Sequence, residues 1–238
     1  MEVNWLKKIP HTEGSHRDFL SSIVKSTSNS IFLYPTMPHE IIEFVSTFKA
    51  NKSPGYDDVL PKIVKSVIHT IAEPLSTATN VSFDQGTFPD ALKLAKVGPI
   101  SKSDDRTIVS NYRPVSVLSV FSKIYEKVMY RRLFDYFVEN KFLVDNQFGF
   151  RKQHSTSMAI LRLVDQIATE IDKCNLTMGV FIDLSKAFDT IDHHILLDKL
   201  SMYGIRGNCF DWFNSYLTER KQYVCLNDML CVNCGVPQ

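Results

Sequence analysis

Residues 178–184 have the sequence Met-Gly-Val-Phe-Ile-Asp-Leu, an apolar run with a single carboxylate near its end. Short continuous apolar runs are typical of buried β-strands. An ionised carboxylate on such a strand is costly unless a cation, a hydrogen-bond donor or a metal compensates it. A strand-end carboxylate is also a natural ligand for Mg²⁺. From the residues alone, a structural role and a metal-binding role of Asp183 both stay open.

Helices are predicted on both sides of this run, each from apolar residues at helical spacing and from capping residues. The first two are predicted from Pro38 to about Lys52 and from Pro61 onward, the second with a kink or a division at Pro74. A long helix is predicted from about Ser119 to Asn140, and another begins after a cap at Ser155. The last two run from a cap at Asp192 to Gly204 and from Cys209 to Leu217.

Strands are predicted at Leu94 to Ile100, in a hairpin, and at Lys221 to Leu226 and Met229 to Val236 around the tight turn Asn227-Asp228. The alternation of helices with buried or paired strands predicts an α/β or α+β architecture. The first 35 residues contain little periodicity and are expected to be a weakly ordered lead.

The composition is that of a globular protein with near-neutral charge. The chain has 238 residues, is 44% hydrophobic and carries a formal net charge of +1. This charge by itself predicts no nucleic-acid partner, so any basic surface must come from local clusters. One such cluster shares a helix flank (Lys123, Lys127, Arg131 and Arg132) and another follows Phe150 (Arg151, Lys152 and His154). A solvated helix face explains the first cluster equally well.

The cysteines and the hydropathy pattern provide information about the cellular location, a candidate zinc site and membrane association. Five cysteines, without a signal-like start, indicate reduced thiols inside the cell. Cys231 and Cys234 have zinc-knuckle spacing, but small apolar residues on a hairpin explain a lone pair better. The chain contains no apolar stretch of membrane-spanning length, so no membrane association is expected.

A longer stretch, Phe181-Ile182-Asp183-Leu184-Ser185-Lys186-Ala187-Phe188-Asp189-Thr190-Ile191-Asp192-His193, resembles the first palm motif of non-LTR retrotransposon reverse transcriptases, of the LINE type and similar to jockey and CR1 elements. Five further segments stand in the order that this family has them: Lys52-Ser53-Pro54-Gly55, Pro99-Ile100-Ser101-Lys102, Asn111-Tyr112-Arg113-Pro114-Val115-Ser116, Gln147-Phe148-Gly149-Phe150-Arg151 and Gly235-Val236-Pro237-Gln238. Ordered motifs are much harder to obtain by chance than a single one.

The resemblance implies a right-hand polymerase fold that performs RNA-templated DNA synthesis, with an RNA template, a DNA primer, deoxynucleoside triphosphates and Mg²⁺ as partners. Asp183 would be the catalytic residue and metal ligand. Phe188 would act as a sugar gate that excludes a 2′-hydroxyl, although a core phenylalanine is the simpler alternative. The family also implies a nuclear location.

Other residues would contact the nucleotide and the template. The nucleotide contacts implied by the resemblance are Lys102, Arg113 and Gln238, with Arg106 competing with Lys102. The template contacts are Gln147, Phe148, Gly149, Phe150 and Arg151, through stacking and backbone contact. A packed turn before a capped helix is the structural alternative for the template segment.

The same resemblance predicts the domain organisation and shows which parts of a complete polymerase this sequence lacks. Residues 1–35 would be the lead, 36–175 an N-terminal extension with the fingers, and 176–238 an incomplete palm that ends at the Pro-Gln motif. The family completes its metal site with an aromatic-x-Asp-Asp hairpin, which this sequence lacks. Tyr56-Asp57-Asp58 and Asp104-Asp105 do not fit that hairpin, because they precede Asp183 and lie in polar turns. The chain alone, which also lacks a thumb, is therefore expected not to polymerise.

Two alternatives come from other functional classes. The first is a non-catalytic nucleic-acid-binding remnant that uses Arg113, Arg151 and Lys152 on phosphates. The second is a helical interaction protein whose matches to the family are accidental.

Overall fold

The structure, a computed structural model, describes residues 16–24, 26–101, 105, 107–108, 111–184, 187–188, 190–226 and 229–235, with the backbone alone at residues 16, 23, 226 and 229–235. The chain divides into two compact units. Unit 1 combines the described residues up to Arg132 with those from Asp192 onward, and unit 2 runs from Leu133 to Ile191. The domain boundaries expected after residues 35 and 175 follow the resemblance and stay predictions.

The described residues form helices and strands in a mixed order. The helices are α1 (His16–Ile23), α2 (Pro38–Ser46), α3 (Pro61–Asp84), α4 (Val120–Glu139), α5 (Thr156–Asp172), α6 (His193–Met202) and α7 (Asn208–Leu217), and the strands are β1 (Leu94–Ser101), β2 (Tyr112–Val117), β3 (Lys221–Leu226) and β4 (Met229–Gly235). Within these described helices, none has the length and apolar character needed to span a membrane.

The strands form one sheet of unit 1 in the order β2-β1-β3-β4. β1 pairs antiparallel with β2, with Lys96 opposite Val117. β3 lies parallel to β1, with Leu94 opposite Lys221, and pairs antiparallel with β4. Both predicted hairpins are therefore confirmed. The mixture of helices and sheet confirms the predicted α/β class.

An aromatic cluster around Trp212 forms the core of unit 1. Trp212 is 1% exposed, and its indole Nε1 donates a hydrogen bond of 3.0 Å to Ser82 Oγ. The fully buried Phe88 packs edge-on against Trp212, with ring centroids 5.4 Å apart. Phe88 is fixed in turn by its backbone N–H, which donates to Ser215 Oγ at 3.1 Å. These contacts attach α7 to the end of α3, because the buried polar atoms as well as the rings find partners there.

Several predicted helix ends are confirmed by their capping contacts. Ser155 Oγ accepts a hydrogen bond from the Met158 N–H at 3.2 Å at the start of α5. Asp192 Oδ1 accepts from the His194 N–H at 2.8 Å at the start of α6. Gly204 follows α6 with a φ of 87°, a conformation that glycine adopts without steric cost. These local contacts are what the sequence pattern encodes directly.

Of the two outcomes expected at Pro74, a kink or a division of the second helix, the division is wrong. α3 continues from Pro61 to Asp84 with Pro74 inside it. A proline removes one helical hydrogen bond, but the buried face of α3 extends on both sides, from Ala72 to Ser76, and tertiary packing overrides the local cost.

The predicted buried strand at residues 178–184 is also wrong. These residues have no regular secondary structure, and Phe181, Ile182 and Leu184 are 87%, 83% and 70% exposed. A strand needs a neighbouring strand for its backbone N–H and C=O groups. None of the strands in the described residues pairs with this segment. The apolar run therefore has the composition of a strand, but no neighbouring strand among the described residues forms hydrogen bonds with it.

The face predicted for α5 is exposed for the same kind of reason. Ile160, Val164 and Ile171 are 62%, 55% and 62% exposed, and no residue that the structure describes in α5 is buried. Helical periodicity shows which side chains share a face, but it does not supply the surface that would cover that face.

Part of the segment expected to be a weakly ordered lead, residues 16–24 and 26–34, makes specific contacts with α6 and with the residues that follow it. α1 buries Leu20, and Arg17 forms an ion pair with Asp198 of α6 at 2.8 Å. Arg206 donates to the Thr27 carbonyl at 2.7 Å and to the Asn29 carbonyl at 3.2 Å. These partners lie far away along the chain, so local periodicity gives no signal for them.

Gly55 allows the loop before α3 to pack against the start of α4. A Cβ atom at Gly55 would lie 2.5 Å from the Ser119 backbone nitrogen and 2.8 Å from the Leu118 carbonyl carbon. Ser119 Oγ donates to Asp57 Oδ2 at 2.6 Å and accepts from the Phe121 N–H at 3.1 Å. The loop and the first turn of α4 are thus one packed unit, which requires a residue without a side chain at position 55.

We expect Gly55→Ala to lower the free energy of unfolding by about 1–3 kcal/mol, because the added methyl group meets backbone atoms that cannot rotate away. Urea denaturation followed by circular dichroism measures this change. Gly98→Ala is the matched control, since a Cβ atom there meets nothing within 4 Å, and it should change stability by about 0.5 kcal/mol at most. Equal effects of the two substitutions would contradict the packing argument.

Candidate functional site

Asp183 and Phe188 lie in an exposed segment of unit 2. Asp183 is exposed and lies outside regular secondary structure. Phe188 is 74% exposed, and its ring packs edge-on against Phe150, with the centroids 6.0 Å apart and the planes at 89°. The residue predicted to sense the sugar therefore contacts a residue predicted to touch the template. An edge-to-face pair holds both rings at a defined angle.

Phe150 itself has an unusual backbone conformation. Its φ is 62°, and its side chain is 83% exposed. A bulky residue at positive φ is a genuine outlier, and such outliers concentrate at binding sites. The turn is held by Gln147, whose Nε2 donates to the Gly149 carbonyl at 3.3 Å, and by Arg151, whose Nη1 donates to the Val144 carbonyl at 2.9 Å. The turn thus presents one aromatic ring to solvent on a fixed backbone.

A cationic cavity lies beside this turn. Its volume is about 730 Å³, and Arg151 lines it together with Lys141 and Arg162. Arg162 also donates to the Asp145 carbonyl at 3.3 Å. The wall thus has three cations and one acidic residue, Asp145, an excess of positive charge that is suited to phosphate oxygens. Sequence reasoning identified Arg151 but missed Lys141 and Arg162. The available signal was Arg162 itself, a cation between Leu161 and Leu163 in α5.

Phe148 lines a second cavity of unit 2, with a volume of about 690 Å³. Its ring lies near the His154 ring, with centroids 5.8 Å apart, and Met158 and Leu161 form further parts of the wall. The wall therefore combines aromatic and aliphatic surface, which is the kind of surface on which a base stacks.

The predicted nucleotide contacts fall elsewhere. Arg113 is an exposed residue of β2 in unit 1, opposite Ile100 in the β1–β2 hairpin. Lys102, its competitor Arg106 and Gln238 lie outside the described residues. The cysteine side chains at 231 and 234 lie outside them as well.

Asp183 does not by itself fit a two-metal centre. Such a centre needs several carboxylate oxygens placed together. Within the part of the chain that the structure describes, no three His, Cys, Asp or Glu side chains are placed to hold a metal ion. Asp189, six residues after Asp183, lies outside the described residues. Asp183 therefore offers a single exposed carboxylate.

Comparison with known proteins connects this arrangement to one family. Residues 100–238 match the family model for "Reverse transcriptase (RNA-dependent DNA polymerase)". This match includes Arg113, the template turn, Asp183 and Phe188, and it covers β2, the β3–β4 hairpin and all of unit 2.

Curated relatives agree with that match. The chain is 30% identical to "Probable RNA-directed DNA polymerase from transposon BS" of Drosophila melanogaster, in an alignment that covers 95% of this chain and 26% of the relative. It is 28% identical to the RNA-directed DNA polymerase from mobile element jockey of the same species, over 84% of this chain and 22% of the relative. The chain spans about a quarter of the length of these relatives.

The family match covers more than half of the chain, and the relatives extend it toward the N-terminus. The exposed ring pair, the cationic cavity and the motifs from Asn111 onward all lie within the residues that match the family model. The chain belongs to the reverse transcriptase family, as a domain of the kind that non-LTR retrotransposon polyproteins carry.

Proposed function

We propose that this chain forms the template-contacting and nucleotide-contacting part of an RNA-directed DNA polymerase. Its substrates would be an RNA template, a DNA primer and deoxynucleoside triphosphates, and its fold the fingers and partial palm of a right-hand polymerase. The observation that carries the proposal is the contact between Phe150 and Phe188, with ring centroids 6.0 Å apart. It joins the segment expected on the template to the segment expected on the incoming sugar.

The cationic cavity supports the template side of the proposal. Arg151, Arg162 and Lys141 line the same cavity, and each can neutralise a phosphate oxygen. Phe148 and Phe150 offer ring faces for bases beside it. Single-stranded template needs this combination of backbone contact and stacking, because its bases are not paired.

Asp183 and Arg113 would serve the nucleotide. Reverse transcriptases use divalent metal ions, and we propose Mg²⁺ with Asp183 as one of its ligands. The exposure of Asp183 leaves its carboxylate open to a metal or to a substrate. Arg113 would bind the triphosphate, because an exposed guanidinium forms paired hydrogen bonds with phosphate oxygens.

A non-catalytic nucleic-acid-binding remnant is a second candidate. The cationic cavity favours it specifically, since Arg151, Arg162 and Lys141 bind phosphate without any need for Asp183. The two candidates can be distinguished at Phe188: only a polymerase changes its choice between ribonucleotides and deoxynucleotides when this side chain is altered.

We expect Phe188→Val to raise incorporation of ribonucleotides relative to deoxynucleotides by about 10- to 100-fold, because a smaller side chain no longer excludes the 2′-hydroxyl. Primer extension on an RNA template, with each sugar in turn, measures the ratio. The protein for this assay is the chain extended by about 100 residues of the genomic translation beyond Gln238, the size of a small domain.

Phe150→Ala is the matched control, because it removes the other ring of the pair. It should weaken extension on both sugars alike, since a template contact does not distinguish them. If Phe188→Val still extends primers but incorporates ribonucleotides and deoxynucleotides in the same ratio as the unmodified protein, Phe188 is not a sugar gate.

A further inference from the structure

The loop after α2 places two lysines beside α4 in unit 1. Lys49 and Lys52 lie in this loop, which Gly55 and Asp57 hold against the start of α4. Lys123 and Lys127 lie one helical turn apart on α4. All four line one cavity of about 550 Å³, within the usual size of a small-ligand site. The packed loop therefore brings together cations that are more than 70 positions apart in sequence.

The rest of the predicted basic cluster has a different role. Arg132 is buried and forms an ion pair with Glu40 at 2.8 Å, and Arg131 pairs with Glu43 at 2.9 Å. Within the described residues, none of the four cavity lysines lies within 4.0 Å of a carboxylate oxygen. The arginines of α4 are thus paired with carboxylates of α2, while Lys123 and Lys127 of the same helix line the cavity.

The charge in the cavity is unbalanced. Four ammonium groups share it with one carboxylate, that of Glu126. Glu126 Oε1 already accepts a hydrogen bond of 3.0 Å from the Tyr216 hydroxyl, and burial raises the pKa of Glu126. Burial also lowers the pKa of Lys123. The nearby charge of Lys52 lowers this pKa further, whereas the carboxylates of Glu126 and Asp57 raise it. A bound anion would relieve the repulsion between Lys52 and Lys123.

Apolar and aromatic surface completes the cavity wall. Phe48 is half-buried at one side, and Tyr130, which is 46% exposed, follows Lys127 on α4. Rings beside several ammonium groups are typical of sites that hold a base together with its phosphate. A site for phosphate alone would need the cations but not the rings.

We propose that this lysine-lined cavity (Lys49, Lys52, Lys123 and Lys127) binds single-stranded nucleic acid, with the lysines on backbone phosphates and a base against Phe48 and Tyr130. It includes none of the residues assigned above to template or nucleotide, and it lies in unit 1. Its failure is therefore distinguishable from a failure of the proposed function, because binding is measured without extension.

The test is fluorescence anisotropy of the 238-residue chain with a labelled oligouridine, measured over a series of salt concentrations. The variant Lys52→Gln with Lys123→Gln should bind about tenfold more weakly at low salt. The slope of log K against log salt should fall by about 0.7 for each lysine removed, the value for single strands. Circular dichroism verifies that the variant is folded.

The matched control is Lys62→Gln with Lys199→Gln, two exposed lysines on α3 and α6 that lie outside the cavity wall. It makes the same change in net charge and should leave affinity and slope near those of the unmodified chain. A control that weakens binding as much as the cavity variant would overturn the proposal, since net charge alone would then explain it.

Tyr130→Ala and tripolyphosphate distinguish nucleic acid from free phosphate. Tyr130→Ala should weaken oligouridine binding about tenfold through lost stacking, and it should leave tripolyphosphate binding unchanged. If Lys52→Gln with Lys123→Gln loses tripolyphosphate binding while oligouridine affinity stays the same, the cavity is an anion site and the proposal is wrong.

Discussion

Asp183→Asn is expected to lower templated DNA synthesis by about 10³-fold or more in the protein extended beyond Gln238. The substitution keeps the size of the side chain and one oxygen, but it removes the negative charge. A carboxylate that serves metal-dependent nucleotidyl transfer contributes several kcal/mol to the transition state, and about 1.4 kcal/mol corresponds to each tenfold change in rate. Single-turnover primer extension measures the loss without interference from product release.

The free energy of unfolding and the affinity for RNA should stay unchanged in the same variant. Asp183 is exposed, and no hydrogen bond or ion pair of its side chain contributes to the fold of the described residues. Asp172→Asn is the matched control, because Asp172 is another exposed carboxylate of unit 2. If Asp183→Asn extends primers as fast as Asp172→Asn, Asp183 takes no part in the chemistry.

Arg132→Met is expected to lower the free energy of unfolding by about 3–5 kcal/mol, because it leaves the carboxylate of Glu40 buried without its partner. The Arg132 side chain is 0% exposed and that of Glu40 is 10% exposed. Two parallel hydrogen bonds of 2.9 and 2.8 Å join them, and the guanidinium also lies 3.5 Å from the centroid of the Tyr34 ring. Denaturant unfolding at about pH 7 measures the loss.

Arg131→Met is the matched control on the next residue. Its ion pair with Glu43 at 2.9 Å is much more exposed, at 32% and 56%, and its contact with Glu40 is longer, at 3.5 Å, than that of Arg132. Its loss should therefore cost about 1 kcal/mol or less, since Glu40 keeps Arg132 as its partner. The double variant Arg132→Met with Glu40→Leu should recover most of the stability, because no unpaired charge then stays buried. Equal losses at positions 131 and 132 would contradict the importance of burial.

The same ion pair predicts a pH dependence. Burial would raise the pKa of the Glu40 carboxyl, but the hydrogen bonds from Arg132 and from the Met37 N–H hold it below its ordinary value. A folded-state pKa below the unfolded value contributes stability above that unfolded value, and this stability is lost as pH falls through the folded-state pKa. The difference between Arg132→Met and the unmodified protein should therefore shrink on acidification, since a protonated Glu40 no longer needs a cation.

The sequence predicts best where the signal is local. The caps at Ser155 and Asp192, the extent of α4 and both hairpins are confirmed because each depends on neighbouring residues. The run at 178–184 has the composition of a buried strand, and yet Phe181 and Ile182 are exposed. Strand formation depends on a partner, and composition contains no information about where that partner is.

The same distinction between local and long-range information applies to the candidate site. Motif order identified the family and brought Phe150 and Phe188 into consideration, and their ring contact is found in the structure. The roles of Lys102 and Gln238 stay predictions. Lys141 and Arg162 were missed because their convergence on Arg151 depends on how the turn and α5 fold together. For the same reason, a helix flank with four cations gave no sign that Arg131 and Arg132 pair with α2 while Lys123 and Lys127 line a cavity.

Templated primer extension on RNA, with deoxynucleotides and Mg²⁺, tests most directly whether this chain is part of a working polymerase. The assay compares the 238-residue chain with the version extended by about 100 residues, the size of a small domain. We expect the extended protein to copy the template and the 238-residue chain to be silent, because the residues that the structure describes contain no group of three metal-binding side chains that Asp183 could join. Extension by the 238-residue chain would contradict that expectation, and silence of both proteins, with RNA still bound, would favour the binding remnant.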